Sequence, residues 1–263
     1  MQIAVITGAT SGIGREFYRL IAANYPWLDE IWCIGRNLKK LSCLPAPKTS
    51  RLRVFRLDLS REEDLTSFQH SLSEYPEVRI KLLVNAAGTG KYGAFDRTEL
   101  KEHTATVRLN CETLTALTAI CLPYMKSKSR IIQLCSASAF FPQPDFAVYA
   151  ASKAYVLAFS RALSAELKSR GITVTAVCPG PVDTPFLTRS REGVPVPEYK
   201  KKSAAKASDV ARKALLDASK GNMISIYGKN IQALYLGSQI LPAEFFTWIT
   251  NYLNRKGATH EKS

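Results

Sequence analysis

The chain has 263 residues, a hydrophobic share of 46%, a charged share of 22% and a formal net charge of +14. These shares are ordinary for a globular protein, and the length fits one large α/β domain. The positive residues are spread along the chain without a nucleic-acid-binding motif, so no nucleic-acid partner is expected. No apolar run is long enough for an integral membrane segment and no signal-peptide pattern is present, so the expected location is cytoplasmic.

The cysteines and histidines give no indication of a metal site. The six cysteines form no Cys-x-x-Cys pair, and several lie in apolar runs such as that of residues 31–35. We therefore expect reduced thiols in the core. The three histidines are scattered and far from any cysteine cluster, so no bound metal is expected.

The chain begins with a strand, a glycine-rich turn and a helix. Ile3–Ile6 is a short apolar run, the turn spans Gly8–Gly14, and an apolar helical pattern follows. Glycines let a pyrophosphate approach the backbone, while the helix N-terminus offers free N–H groups and a positive dipole end. A tight turn that binds nothing is the alternative, but the context favours a dinucleotide site. Its candidate contacts are Gly8, Thr10, Ser11, Gly12, Ile13 and Gly14.

The second predicted strand, Glu30–Ile34, ends at Gly35 and Arg36. An acidic residue at this point would accept a hydrogen bond from the adenine ribose, as in NAD binding. The guanidinium of Arg36 suits a ribose 2′-phosphate instead, because its planar fork of donors matches a phosphate. The alternative is that Arg36 is a solvated turn residue. The sequence therefore favours NADP(H), with NAD(H) as the second choice.

Two further strands are predicted at 52–57 and 80–84, with an amphipathic helix at 61–74 between them. The carboxyl ends of parallel strands form the ligand-binding edge of an open α/β sheet, so the residues that follow them are candidate cofactor contacts. These residues are Asp58, Leu59, Asn85, Ala86, Ala87 and Gly88.

A helix-rich region from about 98 to 126 carries Asn110 in its middle. Asparagine is a poor residue for a helix interior. A buried asparagine there needs hydrogen-bond partners or a function, and the spacing leaves both interpretations open.

The fifth predicted strand, Arg130–Cys135, ends at Ser136, and the next helix carries Tyr149 and Lys153. Positions i and i+4 share a helix face, so the phenol and the ammonium can work together. A cation beside a phenol lowers the pKa of the phenol, which makes Tyr149 a candidate proton donor and acceptor at a C–O bond. Taken alone, Tyr-x-x-x-Lys is a weak signal, because it occurs by chance in many surface helices.

The rest of the chain continues the alternation of strands and helices. The remaining predicted elements are a strand at 173–178, a loop at 185–207, a helix at 208–219, a strand at 223–227 and an apolar C-terminal extension at 228–263. Strands that alternate with helices predict a parallel sheet covered on both faces. The expected fold class is α/β, a doubly wound, Rossmann-like parallel sheet in a single domain over residues 1–263.

In its motifs and their order, the chain resembles the short-chain dehydrogenase/reductase family from Thr7 to about Thr184. The motifs occur in family order with family-like gaps, and Ser136 precedes Tyr149 by the usual interval. The matching residues are Thr7-Gly8-x-x-x-Gly12-x-Gly14, Asp58-Leu59, Asn85-Ala-Ala-Gly88, Asn110, Ser136, Tyr149-x-x-x-Lys153 and Pro179-Gly180-x-x-x-Thr184.

The resemblance implies a catalytic role for four residues. Tyr149 would exchange a proton with the substrate oxygen, while Lys153 would lower the pKa of Tyr149 and bind the nicotinamide ribose. Ser136 would hold the substrate oxygen, and Asn110 would support a water that links Lys153 to solvent. Ser138 competes with Ser136, because the loop reads Ser-Ala-Ser-Ala-Phe-Phe. The resemblance also implies a homodimer or homotetramer, and the further implied cofactor contacts are Tyr149, Lys153, Pro179, Gly180, Val182 and Thr184.

The expected activity is hydride transfer between NADP(H) and a small-molecule ketone or secondary alcohol, bulky and apolar, of hydroxysteroid or 3-oxoacyl type. The 185–207 segment is interpreted as a substrate lid. A non-catalytic NADP-binding regulator or scaffold is the alternative, because a fold alone does not fix function. The complete catalytic set argues against that alternative. The expected substrate pocket is lined by Ser136, Phe140, Phe141, Phe146, Tyr149, Phe186 and the 185–207 segment.

Overall fold

The computed structural model describes residues 1–191 and 194–250. Residues 192–193 of the expected lid and residues 251–263 of the expected extension lie outside the described range. The centre of the described chain is a sheet of parallel strands. Its strands are β1 Gln2–Thr7, β2 Glu30–Gly35, β3 Arg51–Arg56, β4 Arg79–Asn85, β5 Arg130–Leu134, β6 Thr173–Val177 and, numbered after two short strands outside this sheet, β9 Ile224–Ser225.

The sheet has the order β3-β2-β1-β4-β5-β6-β9, and its neighbouring strands pair in parallel. The chain therefore builds outward from β1 in one direction and then from β4 in the other, which is the doubly wound arrangement. The helices between and after the strands are α1 Gly12–Asn24, α2 Leu38–Ser42, α3 Glu62–Ser73, α4 Leu100–Val107, α5 Thr113–Cys121, α6 Ala147–Glu166, α7 Pro185–Arg189, α8 Glu198–Lys202, α9 Ala207–Ser219 and α10 Lys229–Ser238.

Strand β1 shows how the core forms on both faces of the sheet. Successive side chains of a strand point to opposite faces. Ala4 and Ile6 pack with residues of α1 and α9 on one face, and Ile3 and Val5 pack with residues of α3 and α5 on the other. All four are fully buried. A strand buried on both faces reads as a continuous apolar run, and this confirms the predicted parallel α/β fold in one domain.

The segment predicted as a loop at 185–207 contains regular structure. Helix α7 begins at Pro185, whose fixed φ suits the first turn of a helix. Helix α8 begins with Glu198 and ends with lysines, a distribution of charge that complements the helix dipole. Strands β7 Val182–Asp183 and β8 Ala205–Lys206 pair at the two ends of the segment. The loop prediction was therefore wrong for these residues. Their helices have five residues each, which is too short to produce a periodic apolar pattern in the sequence.

The C-terminal part packs more loosely than the sheet. Helix α10 has no buried residues. Residues 243–250 are helical, and Phe246 among them is buried. The last predicted strand, 223–227, is reduced to β9, which pairs with β6 at two positions.

The described residues also bear on the expected membrane and metal properties. No helix within residues 1–191 and 194–250 has the length and apolar character needed to cross a bilayer. The same residues contain no cluster of three or more His, Cys, Asp or Glu side chains that could hold a metal ion. The six cysteines are free thiols, four of which are buried.

Candidate active site

A cleft of about 750 Å³ lies along the carboxyl edge of the sheet. It spans the position between β1 and β4 where the strand order reverses, the usual ligand position in open α/β sheets. Most of the residues predicted as catalytic or cofactor-binding line it. These are Gly8, Thr10, Ser11, Gly12, Ile13, Gly14, Arg36, Asp58, Leu59, Ala86, Ala87, Gly88, Ser136, Tyr149, Lys153, Pro179, Gly180, Val182 and Thr184.

The glycine turn is held against the end of β4. Gly8 has a φ of +70°, and a Cβ added there would lie 2.8 Å from the carbonyl oxygen of Ala86. The Thr7 hydroxyl accepts hydrogen bonds from the backbone N–H groups of Ala86 and Ala87, both at 3.0 Å. The close approach of the two segments therefore requires glycine and is fixed by Thr7.

The start of α1 fits a pyrophosphate. The side chain of Ser11, the residue before α1, makes no capping hydrogen bond. The first N–H groups of a helix have no intrahelical partner, and together with the dipole they attract an anion. Gly12, Ile13 and Gly14 line the cleft at this point. The residues present therefore match a dinucleotide in shape and in charge.

A second cavity opens beside Arg36 at the adenosine end of the cleft. Four basic side chains line it, and none of the lining residues, all within the described chain, is acidic. The basic residues are Arg36, Lys40, Arg56 and Arg189. Sequence reasoning found Arg36 and missed the other three. Arg56 on β3 and Arg189 on α7 come from distant parts of the chain, and Lys40 lies on α2, four residues after Arg36. Nearby, burial raises the pKa of Asp58, but hydrogen bonds from Ser60 and the charges of Arg36 and Arg61 outweigh it and leave the pKa below its ordinary value.

Tyr149 and Lys153 lie on one face of α6, as the spacing predicts. Tyr149 is 8% exposed and Lys153 is 4% exposed. The Lys153 ammonium donates a hydrogen bond of 2.8 Å to the carbonyl oxygen of Leu134 at the end of β5. It lies 5.6 Å from the centroid of the Tyr149 ring. The two side chains therefore share the floor of the cleft.

The pKa of Tyr149 is shifted upward, contrary to the expectation that Lys153 lowers it. Burial of the phenol is the main cause, and a hydrogen bond with Ser136 works in the opposite direction. Burial also lowers the pKa of Lys153. Low solvent exposure disfavours the charged form of each group, and no lowering of the Tyr149 pKa by Lys153 offsets it. The buried phenol therefore stays protonated at neutral pH.

Asn110 lies in a π-helical turn, Arg108–Glu112, between α4 and α5. Its amide donates to the carbonyl oxygen of Thr89 at 2.8 Å and to the Ser152 hydroxyl at 2.9 Å, and its side-chain oxygen accepts from the Thr89 N–H at 3.0 Å. π-turns inside helices are frequent at functional sites. Asn110 does not line the cleft, but a Cβ on Gly88 would lie 3.1 Å from its side-chain oxygen and 3.5 Å from the Lys153 nitrogen. Asn110 thus lies behind Lys153 with its hydrogen bonds satisfied.

The two serines after β5 have different surroundings. The Ser136 hydroxyl accepts a hydrogen bond of 3.1 Å from the N–H of Ser138 and bonds to Tyr149. The Ser138 hydroxyl instead donates to the side-chain oxygen of Gln143 at 3.2 Å. Ser136 is therefore the serine whose hydroxyl lies beside the Tyr149 phenol.

Asn85 and Phe140 were predicted to contact ligands, but their side chains do not line the cleft. The amide of Asn85 donates to Thr118 at 3.1 Å and to Gln133 at 2.9 Å, inside the sheet. The ring of Phe140 packs 4.9 Å from that of Tyr235 on α10. In this structure the Asn85 side chain is held by hydrogen bonds and the Phe140 ring by packing, in both cases through partners distant in sequence.

Aromatic rings form the wall of the cleft beside Tyr149. Its ring lies 4.2 Å from that of Phe146 and 5.4 Å from that of Phe186. Phe141 stacks on Phe246 of the C-terminal helical residues at 5.0 Å. Sequence reasoning missed a further set of lining residues, which lies in segments without a periodic pattern. These residues are Tyr92, Gln143, Ile231, Leu234, Phe246 and Ile249, whereas Arg191 and Lys200 belong to the 185–207 segment that was expected to line the pocket.

The chain is similar to known proteins over most of its length. The family model of short chain dehydrogenases matches residues 2–195. The 17-beta-hydroxysteroid dehydrogenase type 3 of Rattus norvegicus is 30% identical over 213 residues, which cover 77% of this chain and 68% of the rat protein. The similarity therefore includes the glycine turn, the Tyr149 helix and the ends of the strands between them.

Two solved structures extend the comparison to the fold. A short-chain dehydrogenase from Sphingobium yanoikuyae in complex with NADPH superposes with a TM-score of 0.77 at 25% identity, covering 91% of this chain and 92% of that chain. The bulky-bulky ketone specific alcohol dehydrogenase from Comamonas testosteroni superposes with a TM-score of 0.70 at 25% identity, covering 99% and 94%.

Proposed function

The chain belongs to the short-chain dehydrogenase family, and on that premise we propose that it transfers a hydride between NADP(H) and a bulky, apolar ketone or secondary alcohol. The observation that carries the proposal is the meeting of Ser136, Tyr149 and Lys153 in one cleft that also fits a dinucleotide. Family membership alone makes the chain an oxidoreductase that acts on CH–OH or C=O groups. The cofactor preference, the substrate class and the role of each residue are parts of the proposal.

The preference for NADP(H) is supported by the second cavity. Four basic side chains converge there, with Arg36 at the end of β2 where an acidic residue would favour NAD(H). A ribose 2′-phosphate carries the charge that such a cluster attracts, and arginine binds phosphate through two parallel hydrogen bonds. The NADPH in the Sphingobium structure is consistent with this preference.

For the reaction, a bound nicotinamide supplies or accepts the hydride at its C4. The chain's own residues hold the substrate and move the proton. Ser136 orients the substrate oxygen, and Tyr149, whose buried phenol stays protonated at neutral pH, donates a proton to that oxygen during reduction. Lys153, held by the Leu134 carbonyl, places its charge beside the phenolate left after that donation, which favours the phenolate. Asn110 keeps the segment next to Lys153 in position through Thr89.

The substrate class is supported by the apolar wall of Phe141, Phe146 and Phe186 and by the C-terminal residues over the cleft. The names of the rat hydroxysteroid dehydrogenase and of the Comamonas enzyme specify substrates of the same kind. A non-catalytic regulator on this fold is the alternative, and the complete catalytic set argues against it. The expected homodimer or homotetramer and the cytoplasmic location stay predictions.

A turnover screen tests the proposal. The purified protein is incubated with NADPH or NADH and with steroid, acyl or sugar ketones, and loss of the reduced nicotinamide is followed by absorbance. We expect turnover of bulky apolar ketones, faster with NADPH than with NADH. Tight NADPH binding without turnover of any ketone or of the corresponding alcohols would favour the regulator instead.

A further inference from the structure

The substrate end of the cleft, beyond Phe146, contains two basic side chains that the proposed mechanism does not use. Arg191 follows α7 and Lys200 lies on α8, and both line the cleft together with Tyr92. We propose that this end binds an anionic group, a carboxylate or a phosphoryl group, carried by the substrate at the far end from its reacting carbonyl. The inference rests on the proposed function and narrows its substrate class to apolar oxo-acids and their phosphorylated analogues.

Arg191 is a buried cation in contact with the Tyr92 ring. Arg191 is 6% exposed, and its Nε donates to the Pro195 carbonyl oxygen at 3.2 Å. Within residues 1–191 and 194–250, Arg191 forms no ion pair with an acidic side chain. A guanidinium removed from water is costly unless hydrogen bonds or an opposite charge compensate it. An anion entering the cleft would supply that charge.

The position of Arg191 is fixed from both sides. Its guanidinium carbon lies 3.6 Å from the centroid of the Tyr92 ring, a stacking distance for a planar cation. The backbone N–H of Tyr92 donates to the carbonyl oxygen of Ser190 at 2.6 Å. The segment after β4 thus holds the end of α7, and with it the guanidinium, in place in this structure.

Lys200 adds a second positive charge at the same place. Its nitrogen lies 5.9 Å from the centroid of the same Tyr92 ring. Burial and the charge of Arg191 lower the pKa of Lys200 to about 8. Two cations near each other repel, and an anion between them relieves the repulsion. Burial is the larger cause of the pKa shift and the charge of Arg191 is the smaller one, while the position of both side chains against the Tyr92 ring gives the site its preference for an anion.

A row of aromatic rings connects this anion site to the reacting hydroxyl. The Tyr92 ring lies 5.9 Å from that of Phe146, and the Phe146 ring lies 4.2 Å from that of Tyr149. The faces of these rings are apolar, and they lie between the two cations at one end and the Tyr149 hydroxyl at the other. A substrate that fits it has an apolar body with the carbonyl at one end and the anion at the other, separated by about the span of these rings.

The test compares ligands that differ only in charge. The probes are 4-(4-acetylphenyl)butanoate, its methyl ester, and the phosphate monoester of 4-(4-acetylphenyl)butanol. Binding to the full-length protein with saturating NADP⁺ is measured by calorimetry, and turnover with NADPH is measured separately. The carboxylate and phosphate probes distinguish the two sources of the anion.

We expect at least one anionic probe to bind about 10- to 150-fold more tightly than the ester, the range of one charge-assisted hydrogen bond. Arg191→Leu should remove most of this difference while ester binding stays unchanged, and Lys200→Met should remove part of it. Lys202→Leu is the matched control, since Lys202 is exposed, belongs to the same helix and does not line the cleft.

Because the readout is a ratio within each protein, a general loss of folded protein does not mimic the effect. Equal binding of anionic and neutral probes by the wild type would overturn the inference, and so would a preference that survives Arg191→Leu. Turnover of neutral ketones without an anion preference would refute the anion site and leave the proposed function standing. A preference for the anionic probes that depends on Arg191, without turnover of any ketone, would support the anion site and refute the proposed function.

Discussion

The two ends of the cleft are built from different parts of the fold. The cofactor end consists of the turns that follow β1, β2 and β4, and its backbone is fixed by the sheet and by Thr7. The substrate end consists of the 185–207 segment, α10 and helical residues 243–250, among which α10 has no buried residues. The cofactor end is therefore a rigid extension of the core, whereas the substrate end rests on the core through a few side chains. A rigid backbone suits the cofactor, and loosely attached segments can change with the substrate.

Tyr149 lies where the two ends meet, so its removal gives the largest expected effect. In Tyr149→Phe the ring still packs between Phe146 and Phe186, but the proton donor is lost. We expect kcat to fall by ~10²–10⁴-fold, the usual contribution of general acid–base catalysis, with NADPH affinity almost unchanged. Steady-state kinetics and NADPH titration measure the two quantities.

Tyr155→Phe is the matched control for that variant. Tyr155 lies on the same helix, is 42% exposed and bonds through its hydroxyl to Thr115. It should turn over at close to the wild-type rate. Near-normal turnover of Tyr149→Phe would mean that another group donates the proton. Tyr149 would then not mark the reacting position between the two ends of the cleft.

The contrast between the two ends also explains how far the sequence could predict this protein. Gly8 and Arg36 were found because a turn at the end of a strand limits which residues can stand there. Asn110 was singled out because asparagine is unusual inside a helix, and the structure adds the π-helical turn that accommodates it. These signals are local, so one sequence is enough to detect them.

Side-chain direction at the edge of the core was not predictable in the same way. Asn85 follows a strand like any ligand-binding residue, but Thr118 and Gln133 draw its amide into the sheet. Phe140 and Phe141 are adjacent, and only Phe141 lines the cleft. Arg191 has no motif of its own, because its position depends on Tyr92, far away in the chain. Contacts between distant residues decide each of these outcomes.

The cofactor end can be tested by removing its phosphate contact. Arg36→Ala should weaken NADPH binding by ~10–150-fold, the value of one charge-assisted hydrogen bond, and leave NADH binding nearly unchanged. Lys40, Arg56 and Arg189 remain in the same cavity, so the effect is expected toward the lower end of this range. Fluorescence titration with each cofactor measures it.

Lys39→Ala removes one positive charge from α2, three residues after Arg36, without altering the cavity, since Lys39 is exposed and does not line it. It should leave the ratio of NADPH to NADH affinity unchanged. An equal loss for both cofactors in Arg36→Ala would contradict the assignment of Arg36 to the 2′-phosphate.

The smallest expected effect concerns the substrate end and its proposed lid. Residues of α7 reach both cavities, since Phe186 lines the main cleft and Arg189 lines both. A ligand that bridges the two ends would therefore hold the 185–207 segment closed, exclude water from the nicotinamide and protect the segment from a protease. At ligand concentrations about ten times the Kd, binding slows cleavage from an open form by roughly tenfold.

Trypsin measures this protection, because the segment contains arginines and lysines. Cleavage within 185–207 should occur in the protein alone and slow in the presence of NADP⁺ and a ketone. The exposed Lys220–Gly221 turn after α9 provides an internal control whose cleavage should not change, since neither residue lines the cleft. If 185–207 were cut at the same rate with and without both ligands, the segment would be a surface loop. The substrate end would then differ from the cofactor end only in the side chains that line the cleft, and not in a segment that closes over it.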